Sequence, residues 1–306
     1  MNHSIATIIN YCSNEFRFLK HCVQEAEKFS NQIVITVCDH FFDATKEQKE
    51  ELNYTFRQFP NCKFLYYPYF LSDVPGRVLK RLGDNFFCTF SRLLGWSYLS
   101  EDIEYVLFLD ADEIVDSSKF LPFLDKFNYR EYSAIKLANY WYFREGKYRA
   151  KELEDSCVLA KKKALSRKAL LQEGDRFAAF RNAKGKKISM VKGLNGDPFI
   201  HHYSWVRTKA EMLKKVTAWG HRNERDWTRL VEVEFSKEFS GVDFVHGYDF
   251  EEVNSLFEVD LSLKPQKCDN ENFENVRKIS TNEINKILGK GVYSFFPLIS
   301  PLKKLD

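Results

Sequence analysis

Residues 106–116 read Val106-Leu107-Phe108-Leu109-Asp110-Ala111-Asp112-Glu113-Ile114-Val115-Asp116. Four apolar residues precede three carboxylates in four positions, so the acids stand at the tip of a buried strand. Carboxylates this close repel one another and lose hydration, which is costly unless a cation lies among them. The alternative is that these acids cap the helix that follows, because Asp and Glu favour a helix N-terminus.

Strand and helix patterns alternate on the N-terminal side of this stretch. Apolar runs predict strands over 5–11, 33–37, 62–67 and 105–109, and helical spacing predicts helices over 15–29, 44–56 and 85–99. This alternation predicts an α/β fold with a mostly parallel sheet flanked by helices. Ligands bind such sheets at the carboxyl ends of the strands, where residues 10–15, Asp39 and residues 110–113 would meet.

The C-terminal side is less regular. Residues 116–187 are mixed and rich in aromatic and basic side chains, and a short strand over 198–203 follows a glycine-containing loop. Helices over 208–219 and 281–288 come after it. We therefore predict a main domain over 1–205 and a helical C-terminal extension over 206–306.

Composition limits the classes of function. Lys and Arg number 46 against 43 Asp and Glu, a net charge of +3, so we expect no strongly basic face and no nucleic-acid partner. The seven cysteines are odd in number and lack CxxC spacing, which indicates free thiols in a reducing compartment.

The expected location is cytoplasmic. The N-terminus lacks signal-peptide features, and no apolar run approaches the roughly 18 residues of a transmembrane helix. Residues 287–298 are apolar, aromatic and flanked by lysine. This segment either touches a membrane surface peripherally or folds back on the core.

The paired acids also indicate a chemistry. Hard oxygen ligands suit Mg²⁺ or Mn²⁺, and these ions usually bind together with substrate phosphates. Asp110 and Asp112 therefore predict a metal–diphosphate site. A competing interpretation is the aspartyl phosphatase pattern, in which the first Asp after a strand is a nucleophile, although that motif usually opens its domain.

Taken in order, the motifs of roughly residues 4–205 resemble those of the GT-A glycosyltransferases, and among them the family 2-like enzymes. The resemblance rests on Ile8-Ile9-Asn10-Tyr11 with Asn14-Glu15, on Asp39, and on Arg92-Leu93-Leu94-Gly95 before Phe108-Leu109-Asp110-Ala111-Asp112. Leu93 stands where the family usually has Asn. The resemblance implies a GT-A type, Rossmann-like sheet whose C-terminal extension completes the active site or the acceptor side.

It implies an activity as well. The chain would be a hexosyltransferase that moves a sugar from a nucleotide sugar, a nucleoside diphosphate sugar, to a hydroxyl of a glycan or glycoconjugate. Inversion at the anomeric carbon and Mn²⁺ or Mg²⁺ as cofactor belong to the same expectation.

Individual residues take roles from this resemblance. Asp112 would bind the metal directly, and Asp110 would hold the ribose or a metal-bound water. The residues expected around the donor are Asn10, Asn14, Glu15, Asp39, Arg92, Asp110 and Ala111. The alternatives are a surface ion pair for Arg92 and a solvated loop position for Asp39.

Histidines downstream supply further candidates. His201 and His202 share a short strand and must point to opposite faces. Many GT-A enzymes complete the metal shell with such a His, so we expect His202 as a metal ligand, with a structural role as the alternative. His221, after the helix over 208–219, either caps that helix or contacts the donor phosphates.

An inverting transferase needs a base that takes the proton of the acceptor hydroxyl. Family 2-like enzymes use an Asp that opens a helix, and both Asp175 and Asp155 fit; either could instead be a solvated acid. The aromatic run over 139–144 could stack on an acceptor sugar or pack in the core.

Two other functions stay open. A sugar-phosphate nucleotidylyltransferase would use a similar sheet, but that class normally opens with a glycine-rich loop, and residues 8–18 contain no Gly. A catalytically silent carbohydrate-binding protein would keep the fold without turnover.

Overall fold

The computed structural model describes residues 3–70, 85–172 and 174–289 of the chain. Within them eleven strands form one mixed sheet with helices packed on both faces. The predicted α/β class, a mostly parallel sheet flanked by helices, is confirmed.

The strands are bounded as follows: β1 Ile5–Tyr11, β2 Gln32–Cys38, β3 Lys63–Tyr67, β4 Tyr105–Asp110, β5 Glu113–Val115, β6 Ala134–Phe143, β7 Glu145–Lys161, β8 Lys187–Val191, β9 Ile200–Trp205, β10 Phe250–Glu252 and β11 Val276–Lys278. Their order in the sheet is β11-β3-β2-β1-β4-β7-β6-β9-β5, with β10 paired to β7 and β8 to β6. The predicted strands correspond to β1, β2, β3, β4 and β9.

The described helices are α1 Phe16–Ala26, α2 Lys49–Gln58, α3 Asn85–Ser97, α4 Ser117–Lys126, α5 Arg167–Leu170, α6 Asp175–Asn182, α7 Lys209–Ala218, α8 Trp227–Glu234 and α9 Thr281–Leu288. Short 3-10 turns cover Ser13–Glu15, Tyr129–Glu131 and Lys162–Ala164. The predicted helices correspond to α1, α2, α3, α7 and α9.

The parallel half of the sheet is buried on both faces. In β1, Ile5 and Ile9 join one hydrophobic cluster, whereas Ala6 and Ile8 join another. Successive side chains of a strand point to opposite faces, so each face needs its own cover of helices. Residues of α1, α2 and α4 belong to the first cluster, and residues of α3, α6 and α9 belong to the second.

Helix α3 lies very close to β1 at Gly95. A Cβ atom at this position would lie 2.6 Å from Cγ2 of Ile8, which is fully buried. A residue without a side chain is therefore needed for this approach. The contact sets the distance between α3, which carries Arg92, and the strand that ends near Asn10.

Strand β7 joins the parallel half to a half in which parallel and antiparallel pairs are mixed. It pairs antiparallel with β4 on one side and with β6 on the other. Strand β9 runs parallel to β6, and β5 pairs antiparallel with β9, which places Glu113 opposite His202. The hairpin of β6 and β7 lies in the region for which the sequence predicts mixed structure, and it places β9, with His202, beside the acids.

Residues after 205 supply α7, α8 and α9 and also two strands that the sequence did not predict. β10 pairs with β7, and β11 pairs with β3 at the far edge of the sheet. A third cluster around Trp141, Trp205 and Trp227 packs α7 and α8 on β6 and β9. The division of the chain at residue 205 stays a prediction.

Two expectations about the environment of the protein can be compared with the structure. The seven cysteines are free thiols, as predicted. Across residues 3–70, 85–172 and 174–289 no helix has the length and apolarity needed to cross a membrane. Most of the predicted membrane-contacting segment over 287–298 lies outside the described residues.

Candidate active site

The carboxyl ends of the parallel strands open into a cavity of about 470 Å³. Asn10 at the end of β1 is the register partner of Asp110 at the end of β4. Asn14 and Glu15, in the turn after β1, line the same cavity. The structure thus brings together the residues that the sequence places at this edge of the sheet.

A two-residue turn after β4 separates the acids. Asp110 and Asp112 line the cavity, but the side chain of Ala111 is fully buried in the core and its N–H donates to the Asn10 carbonyl. Ala111 is therefore a core residue, which corrects its prediction as a donor-binding residue. The helix-capping alternative applies instead to Asp116, whose side chain accepts the Ser118 N–H at the start of α4.

Asp110 is held between two guanidinium groups. Arg92 Nη2 lies 2.9 Å from one carboxylate oxygen, and Arg176 Nη2 lies 3.2 Å from the other. Burial opposes the ionisation of Asp110, but Arg176 and Arg92 outweigh it and hold the pKa of this carboxyl well below its usual range. Asp110 is therefore an ionised, fixed group in this structure.

Arg92 joins Asp110 to the predicted base Asp175. Its Nε and Nη2 atoms donate to the two carboxylate oxygens of Asp175 at 2.5 and 2.9 Å. The Arg92 side chain is 1% exposed, so the alternative of a surface ion pair is wrong. Because both sides of the guanidinium are occupied, Arg92 acts here by positioning two acids, and its predicted contact with the donor stays a prediction.

Glu113 and Arg176 form a buried pair that the sequence analysis missed. Glu113 is fully buried and accepts hydrogen bonds from Arg176, from the Asp110 N–H at 2.8 Å and from Ser156 Oγ at 2.7 Å. Arg176 directly follows Asp175 in the sequence, and this adjacency was the available signal. The pair fixes the start of α6 against the turn that carries Asp110.

Asp112 meets a different set of cations. Lys215 Nζ, Arg207 Nη2 and His202 Nε2 lie 3.5, 3.8 and 3.7 Å from its carboxylate oxygens. Burial and the neighbouring carboxylate of Glu15 nevertheless raise the pKa of Asp112 above its usual value. A further positive charge at this end of the cavity would stabilise ionised Asp112.

The carboxylate of Glu15 is held by basic residues from the part of the chain after residue 205. Arg207 donates to its carboxylate and, at 3.1 Å, to the Asn14 carbonyl, and Lys215 Nζ lies 3.7 Å away. Burial opposes ionisation of Glu15, but Arg207 and Lys215 together lower its pKa. No local sequence pattern marks Arg207 or Lys215, because each is about 200 residues from Glu15 along the chain.

His202 lines the cavity as expected. Its Nδ1 atom lies 3.7 Å from Glu154 Oε2, beyond a direct hydrogen bond, and Nε2 faces Asp112. Burial disfavours the charged ring, yet the surrounding carboxylates, beginning with Glu154, raise the pKa of His202 to about 9. Its role as a metal ligand stays a prediction.

His201 points to the opposite face of β9. Its Nδ1 atom hydrogen-bonds the Tyr142 hydroxyl at 2.7 Å inside the core, where burial lowers the pKa of His201 to about 3. The aromatic run over 139–144 packs in the same way, since Trp141, Tyr142 and Phe143 are buried. Core packing is thus the outcome for these three rings.

The other end of the cavity is aromatic. His40, Phe41 and Phe42 from the loop after β2, Tyr67 from β3 and Phe87 from α3 line it. The strand order places β2 and β3 on one side of β1 and places β4 and β9 on the other, so these rings lie at one end of the cavity and the charged cluster lies at the other. Flat aromatic faces at one end and charges at the other suit an elongated ligand with a ring and an anionic part.

Asp39 is adjacent to this aromatic end. Its neighbours Cys38 and His40 line the cavity, while its own carboxylate accepts the Tyr69 N–H at 2.6 Å and hydrogen-bonds His40 Nδ1. Asp39 therefore organises the loop after β2, and its predicted contact with the donor stays a prediction.

The second candidate base lies elsewhere. Asp155 pairs with Lys136 Nζ at 2.5 Å and lines a separate, open cavity of about 490 Å³. Asp175 lines both cavities, together with Gly174 and Arg176. Of the two predicted bases, Asp175 is therefore the one that faces the cavity with Asp110 and Asp112.

His221 lies beyond the end of α7, which closes at Ala218. Its ring lines the cavity mouth and its Nδ1 atom lies 2.5 Å from Glu224 Oε1. This position is compatible with its predicted contact to donor phosphates.

The described residues contain no group of three or more His, Cys, Asp or Glu side chains arranged to hold a metal ion. Both oxygens of Asp110 are already ion-paired with arginine. Asp112 and His202, with 3.7 Å between Oδ1 and Nε2, are the predicted ligands that face the cavity together.

No protein-family model matches the sequence, and no curated protein matches it. The structure is similar to the 4-diphosphocytidyl-2C-methyl-D-erythritol synthase from Anaerococcus prevotii DSM 20548, with a TM-score of 0.40 and 14% identity over 64% of this chain and 92% of that chain. It is similar to the glycosyltransferase GlyE of Streptococcus pneumoniae TIGR4, with a TM-score of 0.37 and 13% identity over 77% of this chain and 64% of that chain. It is also similar to the catalytic domain of Drosophila beta1,4galactosyltransferase 7, with a TM-score of 0.32 and 12% identity over 64% of this chain and 70% of that chain. At these values none of the three assigns a function to this chain.

Proposed function

We propose that this chain is a glycosyltransferase that transfers a sugar from a nucleoside diphosphate sugar to a hydroxyl of a glycan or glycoconjugate. The observation that carries the proposal is the cavity at the carboxyl edge of the parallel strands, aromatic at the end near β2 and β3 and charged at the end near β4 and β9. A nucleotide sugar has the same division, since a flat base is followed by an anionic diphosphate.

The donor's orientation follows from the lining. The base stacks among Phe41, Phe42 and Phe87, and the diphosphate lies toward Lys215 and His221. Asn10 and Asn14 also line the cavity and can hydrogen-bond the ribose. The sugar then lies near Asp110 and Asp175, at the border with the open cavity that receives the acceptor.

In this proposal Asp112 and His202 would hold a divalent ion once His202, whose pKa the surrounding carboxylates raise to about 9, has released its proton. Mg²⁺ and Mn²⁺ commonly bind one or two protein ligands and complete their shell with water and substrate phosphates, so a pair of protein ligands is sufficient. The raised pKa of Asp112 beside Glu15 supports this site, because an added positive charge would relieve their repulsion. When bound, the ion would stabilise the charge of the departing diphosphate.

Asp175 takes the proton of the acceptor hydroxyl in this proposal. Arg92 holds both of its carboxylate oxygens and so fixes their direction at the N-terminus of α6. A base that faces both cavities can reach a hydroxyl on the side opposite the leaving group, the geometry of an inverting reaction.

Binding experiments test the proposal. Nucleoside diphosphates and nucleotide sugars are screened with and without Mn²⁺ by thermal shift, since a ligand at about 100 times its Kd stabilises the native state by about 2.7 kcal/mol. We expect a Mn²⁺-dependent shift that Asp112→Asn abolishes and that the exposed control Asp269→Asn retains.

Other outcomes would count against it. Absence of any shift with every nucleotide overturns the proposal. Release of pyrophosphate from a nucleoside triphosphate and a sugar phosphate would assign the cavity to a nucleotidylyltransferase. Glycan binding without nucleotide binding would indicate a silent carbohydrate-binding protein.

A further inference from the structure

The small net charge of the chain conceals an uneven distribution. Residues 161–192 contain eleven Lys and Arg against two Asp and Glu, whereas the rest of the chain contains 35 against 41. The net charge of +3 therefore does not describe this segment. The basic residues of this segment lie on or beside the elements that it forms, which are the turn Lys162–Ala164, α5, α6 and β8.

These elements form one continuous surface, here called the basic face. The Lys184 N–H donates to the Ala164 carbonyl at 3.3 Å, which joins the loop after α6 to the turn that contains Lys163. Lys187 Nζ donates to the Arg181 carbonyl at 2.8 Å, which joins β8 to the end of α6. Helix α5 packs on α6 within the same cluster.

The cations of the basic face are directed to solvent. The exposed ones are Lys163, Arg167, Lys168, Arg181, Lys184, Lys186, Lys187 and Lys192. The acid of this segment that the structure describes, Asp175, is bound to Arg92 in the active site and does not neutralise them, whereas Glu131, from outside the segment, pairs with Lys186 at 2.9 Å. Positive charge collected in this way attracts an anionic surface over a distance of several ångströms.

Apolar side chains are exposed beside these cations. Phe177 on α6, Met190 on β8 and Leu194 in the following loop are 47%, 44% and 52% exposed. Aliphatic side chains such as Met190 and Leu194 have no ring for stacking on nucleic-acid bases, but they do enter the boundary between lipid headgroups and acyl chains. Lysines with interleaved apolar residues are the combination that binds the surface of an anionic bilayer.

We propose that the basic face binds the protein to an anionic lipid bilayer. Binding is electrostatic at long range and is completed by Met190 and Leu194, with Phe177 at the rim of the open cavity. Helix α6 begins at Asp175, so the docked face lies next to the cleft that opens to the active site. The inference stands on charge and exposure and does not depend on the proposed activity.

Vesicle cosedimentation tests it with the full chain. Wild type is expected to bind vesicles of equimolar phosphatidylcholine and phosphatidylglycerol, and to release as salt rises, but not to bind phosphatidylcholine alone. The variant Lys163→Glu/Lys184→Glu/Lys192→Glu should lower the partition coefficient by at least about 100-fold, because each lysine contributes roughly fivefold. The control Lys20→Glu/Lys264→Glu/Lys267→Glu, exposed elsewhere, changes the net charge equally and should bind much more tightly than that variant.

A second variant separates lipid from a soluble polyanion. Met190→Ser/Leu194→Ser should weaken vesicle binding while leaving the weak attraction to heparin unchanged. Equal binding by wild type and the first variant, equal binding to neutral vesicles, or binding to heparin or duplex DNA without binding to anionic vesicles would each overturn the proposal. Thermal melting of every variant verifies that it is folded.

Discussion

Removal of Arg176 tests whether the buried charges behind Asp110 are held by mutual pairing. In Arg176→Met the carboxylate of Glu113, which is fully buried, loses its cationic partner. Breaking a buried ion pair from one side costs about 3–5 kcal/mol, since the other charge stays desolvated. Glu113 keeps its hydrogen bonds from the Asp110 N–H and Ser156 Oγ, so we place the loss at the lower end, about 3 kcal/mol.

The assay is equilibrium urea unfolding of the four proteins of a double-mutant cycle. The double variant Arg176→Met/Glu113→Gln no longer carries an unpaired carboxylate at position 113, and it should recover to within about 1 kcal/mol of wild type. Arg181→Met, on the exposed surface of the same helix, should change the stability by less than about 0.5 kcal/mol.

Two results would refute this reasoning. A loss below about 1 kcal/mol in Arg176→Met would mean that Glu113 is not held by the pair. A double variant no more stable than Arg176→Met would mean that the loss comes from packing of the arginine side chain and not from an unpaired carboxylate.

Glu47 accepts hydrogen bonds from Ser13, and burial raises the pKa of its carboxyl from 4.5 to about 7. Between these pH values the folded state retains a proton that the unfolded state releases. The wild type therefore loses stability as the pH rises through this range. Glu47→Gln should therefore have the same unfolding free energy as the wild type at about pH 4, and an unfolding free energy up to about 3 kcal/mol higher above about pH 8. Urea titration at both pH values measures the difference. A difference that does not change with pH contradicts the raised pKa of Glu47. Gly95→Ala should destabilise the protein by about 1–3 kcal/mol in thermal or urea unfolding, because its Cβ would lie 2.6 Å from Ile8 Cγ2, and a more stable variant would show that α3 is not fixed at this distance.

The parallel half of the fold was predictable because its signal is local. Strands β1 and β4 are apolar on both faces, and each is a continuous run in the sequence. Strand β7 carries a weaker signal, since residues such as Lys151 are exposed and its end from Cys157 to Ala160 is buried. A strand whose burial changes along its length shows neither a continuous apolar run nor a regular alternation of apolar and polar residues. The sequence therefore did not predict the hairpin of β6 and β7.

The candidate site also contains residues that the sequence predicts and residues that it does not. Asp110 and Asp112 are visible because they end a buried strand, and Asn14 and Glu15 are visible because they follow one. Their partners Lys215 and Arg207 come from distant parts of the chain, and pairing across such distances leaves no periodic pattern. Proximity of this kind is decided by the tertiary fold.

Arg92 and Ala111 illustrate a second limit. An arginine on a helix is usually expected to be exposed, yet the Arg92 side chain on α3 is buried and pairs with Asp110 and Asp175 at the sheet edge. Ala111 stands between two site residues, and the turn directs it to the core. Sequence position identifies the segment, whereas the direction of each side chain depends on the turn.

The pairing of β11 with β3 also has a consequence for synthesis of the chain. The edge of β3 is covered when the Phe64 N–H donates to the Asn275 carbonyl and the Ile279 N–H donates to the Tyr66 carbonyl. Strand β11 leaves the ribosome about 200 residues after β3, a delay of roughly 10–40 seconds at usual elongation rates. Throughout that interval the nascent chain carries an unpaired strand edge, so a chaperone that shields it would raise the yield of native protein.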